Sequence, residues 1–241
     1  MTRRLRGLFT AALFLTLCCA GAAAQEGAGR GARELIARGN ESYARGEYEA
    51  AIRVYALVPA DAGEAYAQAL YNIGVCRFEL WQTAEAVALY ARAVEARGGR
   101  YPKASYALGV ALEEQGRRAE AKRAYERAAA DGGYAPAHYK LGMLAASGGD
   151  HGRAAAHFSE AVRRSKGRFP ASHNNLGVML ARVGRLDEAE REFETALREA
   201  DGTFAEAAHN LERCRALLAA GRAGSGAAEL KIASAADGFS R

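Results

Sequence analysis

Cysteine, proline and tryptophan are scarce in this sequence, whose 241 residues contain four, four and one of them. Cys18 and Cys19 lie in an apolar N-terminal run, which leaves only Cys76 and Cys214 in the rest of the chain. Two distant cysteines are too few for a disulfide framework, and their spacing matches no metal-binding motif. We therefore expect both to pack as small apolar side chains, and we predict no metal site and no cofactor.

Apolar runs of the roughly 20 residues needed for a membrane span are also lacking. The most apolar stretch, Leu8–Ala20, follows three arginines and precedes small residues that end at Ala24. This layout is typical of a cleaved secretory signal peptide. We predict that residues 1–24 are removed, that no integral membrane span remains and that the protein is exported to a bacterial periplasm. Lipid attachment at Cys18 or Cys19 is the alternative.

A strong excess of charge of one sign is missing as well. Three of the 33 basic residues and none of the 28 acidic residues lie in residues 1–24, so the formal net charge falls from +5 to +2 without that segment. The remaining basic residues are scattered pairs such as Arg117-Arg118, and no basic stripe predicts a nucleic-acid partner. No acid, base and nucleophile converge, and the glycine-rich segments lack the preceding strand of a phosphate loop. We predict no catalytic residue and no enzymatic activity.

What the sequence has instead is an internal repeat of about 34 residues. The register is set by glycines spaced 35, 35, 33 and 35 residues apart, namely Gly39, Gly74, Gly109, Gly142 and Gly177. An alanine follows each glycine by twelve residues and an aromatic residue follows it by sixteen; the aromatic residues are Tyr55, Tyr90, Tyr125, Phe158 and Phe193. Small residues at fixed positions allow two helices to approach closely, and an aromatic ring fills the space beside them.

These columns, with stretches such as "YALGVALEEQGRRAEAKRAYERAA", resemble the tetratricopeptide repeat family. The resemblance covers residues 30–218 and implies an all-α, right-handed α-solenoid of five helix pairs plus a C-terminal capping helix. The expected pairs cover residues 32–66, 67–101, 102–134, 135–169 and 170–204, and the expected cap covers 205–218. The ends, residues 25–29 and 219–241, are rich in Gly, Ala and Ser, and we expect them to be flexible.

By analogy with the family, a partner segment binds on the concave face, which the first helix of each pair lines. Positions relative to the repeat glycine then assign to this groove Asn40, Tyr43, Tyr71, Asn72, Phe78, Tyr106, Tyr139, Lys140, Asn174 and Asn175. Tyrosine offers contact area with little rotamer entropy to lose, and asparagine can bond a peptide backbone without selecting a charge.

Asn40, Asn72 and Lys103 also fit three positions of a clamp with which some members of the family hold a terminal carboxylate. Ile36 and Ala107 stand where two further cations of the clamp belong, and their absence removes charge that would offset the desolvation of a carboxylate. A clamp and an ordinary helix surface therefore both remain open as interpretations of these residues.

Trp81 stands in a turn position that the other units fill with Gly46, Gly116, Gly149 and Gly184. Glycine suits a left-handed turn, so a tryptophan there predicts either a strained backbone or a different turn. Its ring either folds onto Phe78 or a neighbouring helix, or is exposed as an anchor for a partner, because Trp is enriched at interface hot spots.

The resemblance implies a non-catalytic adaptor of the cell envelope that binds one or more proteins or peptides in its groove. The alternative is a periplasmic carrier or chaperone that binds diverse exported peptides or a small ligand. The sequence leaves the oligomeric state open.

Overall fold

A computed structural model describes residues 29–165, 168–221 and 229–233. The expected signal peptide, residues 1–24, and residues 25–28 lie outside this described part. Every regular element in the described ranges is a helix, which confirms the predicted all-α class. None of the described helices is long and apolar enough to cross a membrane. The chain divides after Arg100 into two compact units, Met1–Arg100 and Tyr101–Arg241.

The first unit contains two helix pairs. Its helices are α1 (residues 29–44), α2 (Tyr48–Tyr55), α3 (Glu64–Glu79) and α4 (Thr83–Ala96). The second helix packs on the third, and the third packs on the fourth. Ile36, Ala51, Tyr55 and Cys76 belong to one buried cluster that ties the two pairs together.

The second unit contains three helix pairs and a final helix. Its helices are α5 (Pro102–Glu114), α6 (Arg118–Ala130), α7 (Ala135–Ser147), α8 (His151–Arg164), α9 (Pro170–Arg182), α10 (Leu186–Glu199) and α11 (Ala205–Ala219). Each of these helices packs on the next, and α11 also contacts α9. Three of the first helices begin with a proline at N1 or N2, where the missing N–H costs nothing: Pro102, Pro136 and Pro170.

The repeat glycines lie directly under the aromatic residues that follow them by sixteen. A Cβ atom at Gly109 would lie 2.4 Å from Tyr125 Cε1, and at Gly177 it would lie 2.7 Å from Phe193 Cε1. The same close approach occurs in the other pairs, and all five aromatic side chains are buried. The repeated glycine and the aromatic residue that follows it by sixteen therefore arise from one contact. In this contact, an aromatic ring of the second helix packs against the backbone of the first helix at the glycine.

Trp81 keeps the left-handed turn of the other units instead of changing it. Its φ is 61°, close to the 76° of Gly46 and the 73° of Gly116. The backbone bonds of the turn are also retained, since the Trp81 N–H donates to the Phe78 carbonyl at 3.0 Å. The side chain is 82% exposed, so the ring is not folded away as one interpretation of the sequence expected.

Replacing Trp81 with glycine is expected to raise the free energy of unfolding by about 0.5–1 kcal/mol. A left-handed backbone costs a non-glycine residue about 1–2 kcal/mol, and the greater freedom of glycine in the unfolded chain offsets part of that gain. Urea denaturation measures the change. Gly116→Ala is the reciprocal control, since its Cβ meets open space and only the left-handed penalty acts. A loss of stability in Trp81→Gly would show that the exposed ring makes stabilising contacts.

Candidate binding site

The predicted groove residues of the first unit are already partnered with one another. Asn40 Oδ1 accepts a hydrogen bond from the Tyr55 hydroxyl at 2.7 Å and another from Asn72 Nδ2 at 3.2 Å. The rings of Tyr43 and Tyr48 lie 5.5 Å apart, and those of Tyr71 and Tyr90 lie 5.7 Å apart. Phe78 is half-buried. The two asparagines of the suggested clamp thus lie in contact, while Lys103 belongs to the second unit and is exposed.

At the start of the second unit, Tyr106 packs its ring 5.7 Å from Tyr125 and 5.5 Å from Tyr134. Burial, with the nearby Tyr134 and Glu113, raises the pKa of Tyr106 to about 12. Its hydroxyl therefore stays protonated at neutral pH, and the side chain presents a neutral aromatic surface.

Lys140 is held by Glu113 on the preceding first helix. Its Nζ lies 2.8 Å from Glu113 Oε2, and the Tyr125 hydroxyl donates to the same oxygen at 2.8 Å. Partial burial alone would raise the pKa of Glu113, but the hydrogen bond and charge of Lys140 outweigh it and lower that pKa. Glu113 follows its repeat glycine by four residues, as Tyr43 and Phe78 follow theirs, so the same rule could have included it.

Three asparagines on α9 and α11, which we call the asparagine cluster, are fully buried: Asn174, Asn175 and Asn210. Asparagine is a weak helix former, and a buried amide without partners costs about 1–3 kcal/mol. Some of their partners lie within the cluster, since Asn174 Nδ2 donates to Asn175 Oδ1 and Asn210 Nδ2 donates to Asn174 Oδ1.

The other partners of the cluster are backbone groups of residues 229–233, the C-terminal segment of the chain. Asn175 pairs with both backbone groups of Ala233, accepting from its N–H at 2.7 Å and donating to its carbonyl at 2.9 Å. Asn210 pairs in the same way with Lys231, at 2.8 Å in both directions. Asn174 Nδ2 also donates to the Lys231 carbonyl at 3.1 Å. A primary amide has both the donor and the acceptor needed to bond one residue of an extended backbone twice.

Tyr139 of α7 completes the contact with Ala233. Its hydroxyl donates to the Ala233 carbonyl at 2.7 Å and accepts from Asn175 Nδ2 at 3.0 Å. Phe158 and Phe169 hold the ring of Tyr139, with centroid distances of 5.6 and 5.2 Å. Because these contacts already fix the ring of Tyr139, its hydroxyl can bond the docked backbone with little additional loss of side-chain entropy.

The docked segment lies within residues 219–241, the C-terminal stretch that the sequence predicts to be flexible. Leu230 and Ala233 are each 3% exposed and belong to the same buried cluster as Tyr139, Leu176 and Cys214. The sequence did not reveal this docked stretch, because five residues are too few to show a helical or strand period. Residues 222–228 and 234–241 lie outside the described part.

Asn210 is the member of the asparagine cluster that the sequence prediction did not include. It follows Asn175 by 35 residues, one repeat length, and therefore occupies the same position in the next first helix. The helix that contains it has Glu212 at the position of the repeat glycine. Asn210 nevertheless repeats Asn175 at the repeat spacing.

The histidines do not gather at one point. His138 Nδ1 lies 3.5 Å from His157 Nδ1, while His173 Nδ1 lies 2.6 Å from Glu192 Oε2. Burial lowers the pKa of both His138 and His157. Within the described ranges, no group of three or more His, Cys, Asp or Glu side chains could hold a metal ion.

Cys76 and Cys214 are expected to react with an aromatic disulfide reagent at pH 8 at least about a hundredfold more slowly in the native protein than in urea. Both are fully buried, and burial raises the pKa of each thiol from 9.0 to about 11, which alone lowers the thiolate fraction about a hundredfold. Peptide mapping after timed labelling measures each site. Native labelling as fast as in urea would contradict the buried positions.

Comparison with known proteins supports the same fold. A model of the tetratricopeptide repeat family matches residues 32–105, 106–169 and 139–204. No curated protein matches the chain.

Three solved structures illustrate the likeness. The MamA protein from Desulfovibrio magneticus RS-1 is 20% identical, with a TM-score of 0.55 over 73% of this chain and 98% of that one. YrrB, described as a tetratricopeptide protein with an unusual peptide-binding site, is 21% identical, with a TM-score of 0.54 over 73% and 89%. PilF of Pseudomonas aeruginosa is 20% identical, with a TM-score of 0.63 over 85% and 90%. At these identities the structures show a shared fold alone. Since the family model spans most of the chain, this protein belongs to the tetratricopeptide repeat family.

Proposed function

We propose that this protein is a non-catalytic adaptor that binds an extended segment of a partner protein against the asparagine cluster of its second unit. Tetratricopeptide folds are protein-interaction scaffolds, which supports binding in general. The specific support is the double pairing of Asn175 with Ala233 and of Asn210 with Lys231. Both contacts use backbone groups, which every peptide offers.

Two features favour an extended peptide over a helix as the ligand. The paired residues, Lys231 and Ala233, are two apart, and in an extended chain the N–H and C=O groups of such residues point to the same side. A helical ligand would have used the same groups internally. YrrB, which is described as having an unusual peptide-binding site, shares this fold, and the likeness agrees with a peptide ligand.

The binding test uses a fluorescent synthetic peptide with the sequence of residues 227–236, AAELKIASAA. It is titrated into the full chain carrying Lys231→Pro and Ala233→Pro, which we call the released chain because the protein's own segment has lost its two N–H donors to the cluster. We expect saturable binding. N-methylation of the peptide at the Ala233 position removes one paired N–H and should weaken binding at least about fivefold, since the loss of a buried hydrogen bond costs about 1–3 kcal/mol.

N-methylation at the Ile232 position is the matched control, because the asparagine cluster pairs with the residues on either side of it. Equal weakening by the two methyl groups would rule out backbone pairing. No binding to a released chain that is helical by circular dichroism would refute the proposed function.

The cell envelope is the proposed place of action, and the support is the signal-like layout of residues 1–24. N-terminal sequencing of the protein from its native cells tests this point. A mature protein that begins after Ala24 is expected, whereas an uncleaved N-terminus on a cytoplasmic protein would refute it.

A photocrosslinking residue at Tyr106, with a control at Arg118, would identify the partner: one discrete adduct indicates an adaptor, and many exported peptides indicate a carrier.

Trp81 is proposed as a second anchor, on the first unit. It is 82% exposed in a left-handed backbone conformation that glycine would adopt at no steric cost. A bulky residue that occupies this position at a cost to stability suggests a role outside folding. Trp81→Gly should weaken capture of the crosslinked partner while it stabilises the fold, and unchanged capture would remove Trp81 from the interface.

A further inference from the structure

Residues 229–233 occupy the asparagine cluster that the proposed function assigns to a partner. We propose that this segment is an internal ligand, which blocks the cluster until a partner's extended segment displaces it in the same register. The inference rests on the proposed function and adds its regulation and the chemistry of the competing segment.

The register follows from the spacing of the asparagines. Asn175 and Asn210 are one repeat apart, and they pair with Ala233 and Lys231, which are two residues apart. A step of one repeat along the protein therefore corresponds to a step of two residues along the ligand. The segment runs from α11 at Lys231 toward α9 and α7 at Ala233, where the Tyr139 hydroxyl also reaches the carbonyl. A displacing segment that uses the same donors and acceptors runs in the same direction.

The chemistry of the competing segment follows from burial. Leu230 and Ala233 are almost fully buried, whereas the Lys231 side chain is exposed and only its backbone is bound. A charged side chain at either buried position would lose its hydration in an apolar cluster. The structure therefore favours an extended partner segment with an apolar residue at the Leu230 position and a small residue at the Ala233 position. At the Lys231 position the side chain is exposed, so it can vary widely, but proline is excluded because it lacks the N–H that donates to Asn210.

Covalent linkage to α11 favours the internal segment over a free peptide. Only residues 222–228 join the end of the α11 turn to the docked segment, and a short tether holds a ligand at an effective concentration on the order of millimolar. The Arg213 guanidinium also donates to the Glu229 carboxylate, which fastens the start of the segment to α11. A free peptide of the same sequence must compete with this local concentration.

The test compares three full-length proteins in titrations with the fluorescent peptide of residues 227–236. These are the unaltered protein, the released chain and a Lys231→Ala control. The control removes the same exposed side chain as Lys231→Pro but keeps the backbone N–H that donates to Asn210. We expect the released chain to bind the peptide with a Kd at least about tenfold lower than the unaltered protein and the control, which should agree with each other.

Equal Kd values for the unaltered protein and the released chain would overturn the internal ligand while leaving peptide binding intact. No binding by either protein would refute the proposed function itself, and the inference with it. Peptide binding to the released chain that Asn210→Ala leaves unchanged would show that the peptide binds elsewhere, which also overturns the inference. Sedimentation adds one outcome: an unaltered dimer that becomes a monomer in the released chain would mean that the segment docks on a second copy and is not internal.

Discussion

Replacing Asn175 with aspartate in the released chain is expected to weaken binding of the 227–236 peptide by about tenfold to a hundredfold. The substitution keeps the shape of the side chain but exchanges its N–H₂ donor for an oxygen. That atom then faces the Ala233 carbonyl and the Tyr139 hydroxyl, which Asn175 Nδ2 contacts at 2.9 and 3.0 Å. The Ala233 carbonyl then keeps only the Tyr139 hydroxyl as a donor. Loss of a buried hydrogen bond costs about 1–3 kcal/mol, and the desolvation of a carboxylate adds to this cost.

Asn40→Asp is the matched control in the first unit. Asn40 uses its Oδ1 as an acceptor from Tyr55 and Asn72, and aspartate keeps that role. Its peptide affinity should stay within about twofold of the parent chain, because the hydrogen bonds that Asn40 accepts are kept. Fluorescence anisotropy at pH 7 measures both variants. An Asn175→Asp chain that binds as tightly as Asn40→Asp would remove Asn175 from the binding site.

Replacing Gly109 with alanine is expected to lower the free energy of unfolding by about 1–3 kcal/mol, the usual cost of overpacking a core. The added Cβ would lie 2.4 Å from Tyr125 Cε1 and 2.6 Å from Tyr125 Cδ1. Tyr125 has little room to move, because it is fully buried and its hydroxyl is bonded to Glu113 at 2.8 Å. The clash outweighs the gain of roughly 1 kcal/mol that alanine brings to a helix interior.

Gly152→Ala separates the clash from helix propensity. Gly152 lies in the first turn of α8, where a Cβ would meet only Asp150 Oδ1 at an ordinary 3.8 Å. This control should gain up to about 1 kcal/mol, so the two glycine-to-alanine changes should have opposite signs. Urea denaturation of each variant measures the difference. A Gly109→Ala protein as stable as the parent would mean that the ring and the first helix are not in close contact.

The fold was predictable because each helix pair repeats one local contact. The contact requires a glycine and, sixteen residues later, an aromatic residue such as Tyr125 or Phe193. Five such combinations at the repeat spacing define the helix pairs. The starts of the first helices were also predictable, since a helix tolerates proline only in its first turn. Trp81 shows the limit of this logic. Its turn keeps the glycine conformation because the backbone bonds of the turn, such as Trp81 N–H to the Phe78 carbonyl, outweigh the steric penalty.

The candidate site was predictable in part. The family positions pointed to Tyr139, Asn174 and Asn175, which contact the docked backbone. Asn210 was missed because the final helix lacks the repeat glycine, although the asparagine continues at the repeat spacing. The docked segment itself could not have been predicted. Its position is set by pairing with side chains far away in sequence, and a segment of five residues is too short to leave a periodic pattern.

Backbone pairing by the asparagine cluster has a signature in hydrogen exchange. The measurement follows each amide of a ¹⁵N-labelled 227–236 peptide bound to the released chain. Pairing with Asn210 and Asn175 predicts slow exchange at the Lys231 and Ala233 positions and exchange near the free-peptide rate at the Ile232 position between them. Uniform exchange along the peptide, or protection at the Ile232 position instead of its neighbours, would contradict the proposed recognition of an extended backbone.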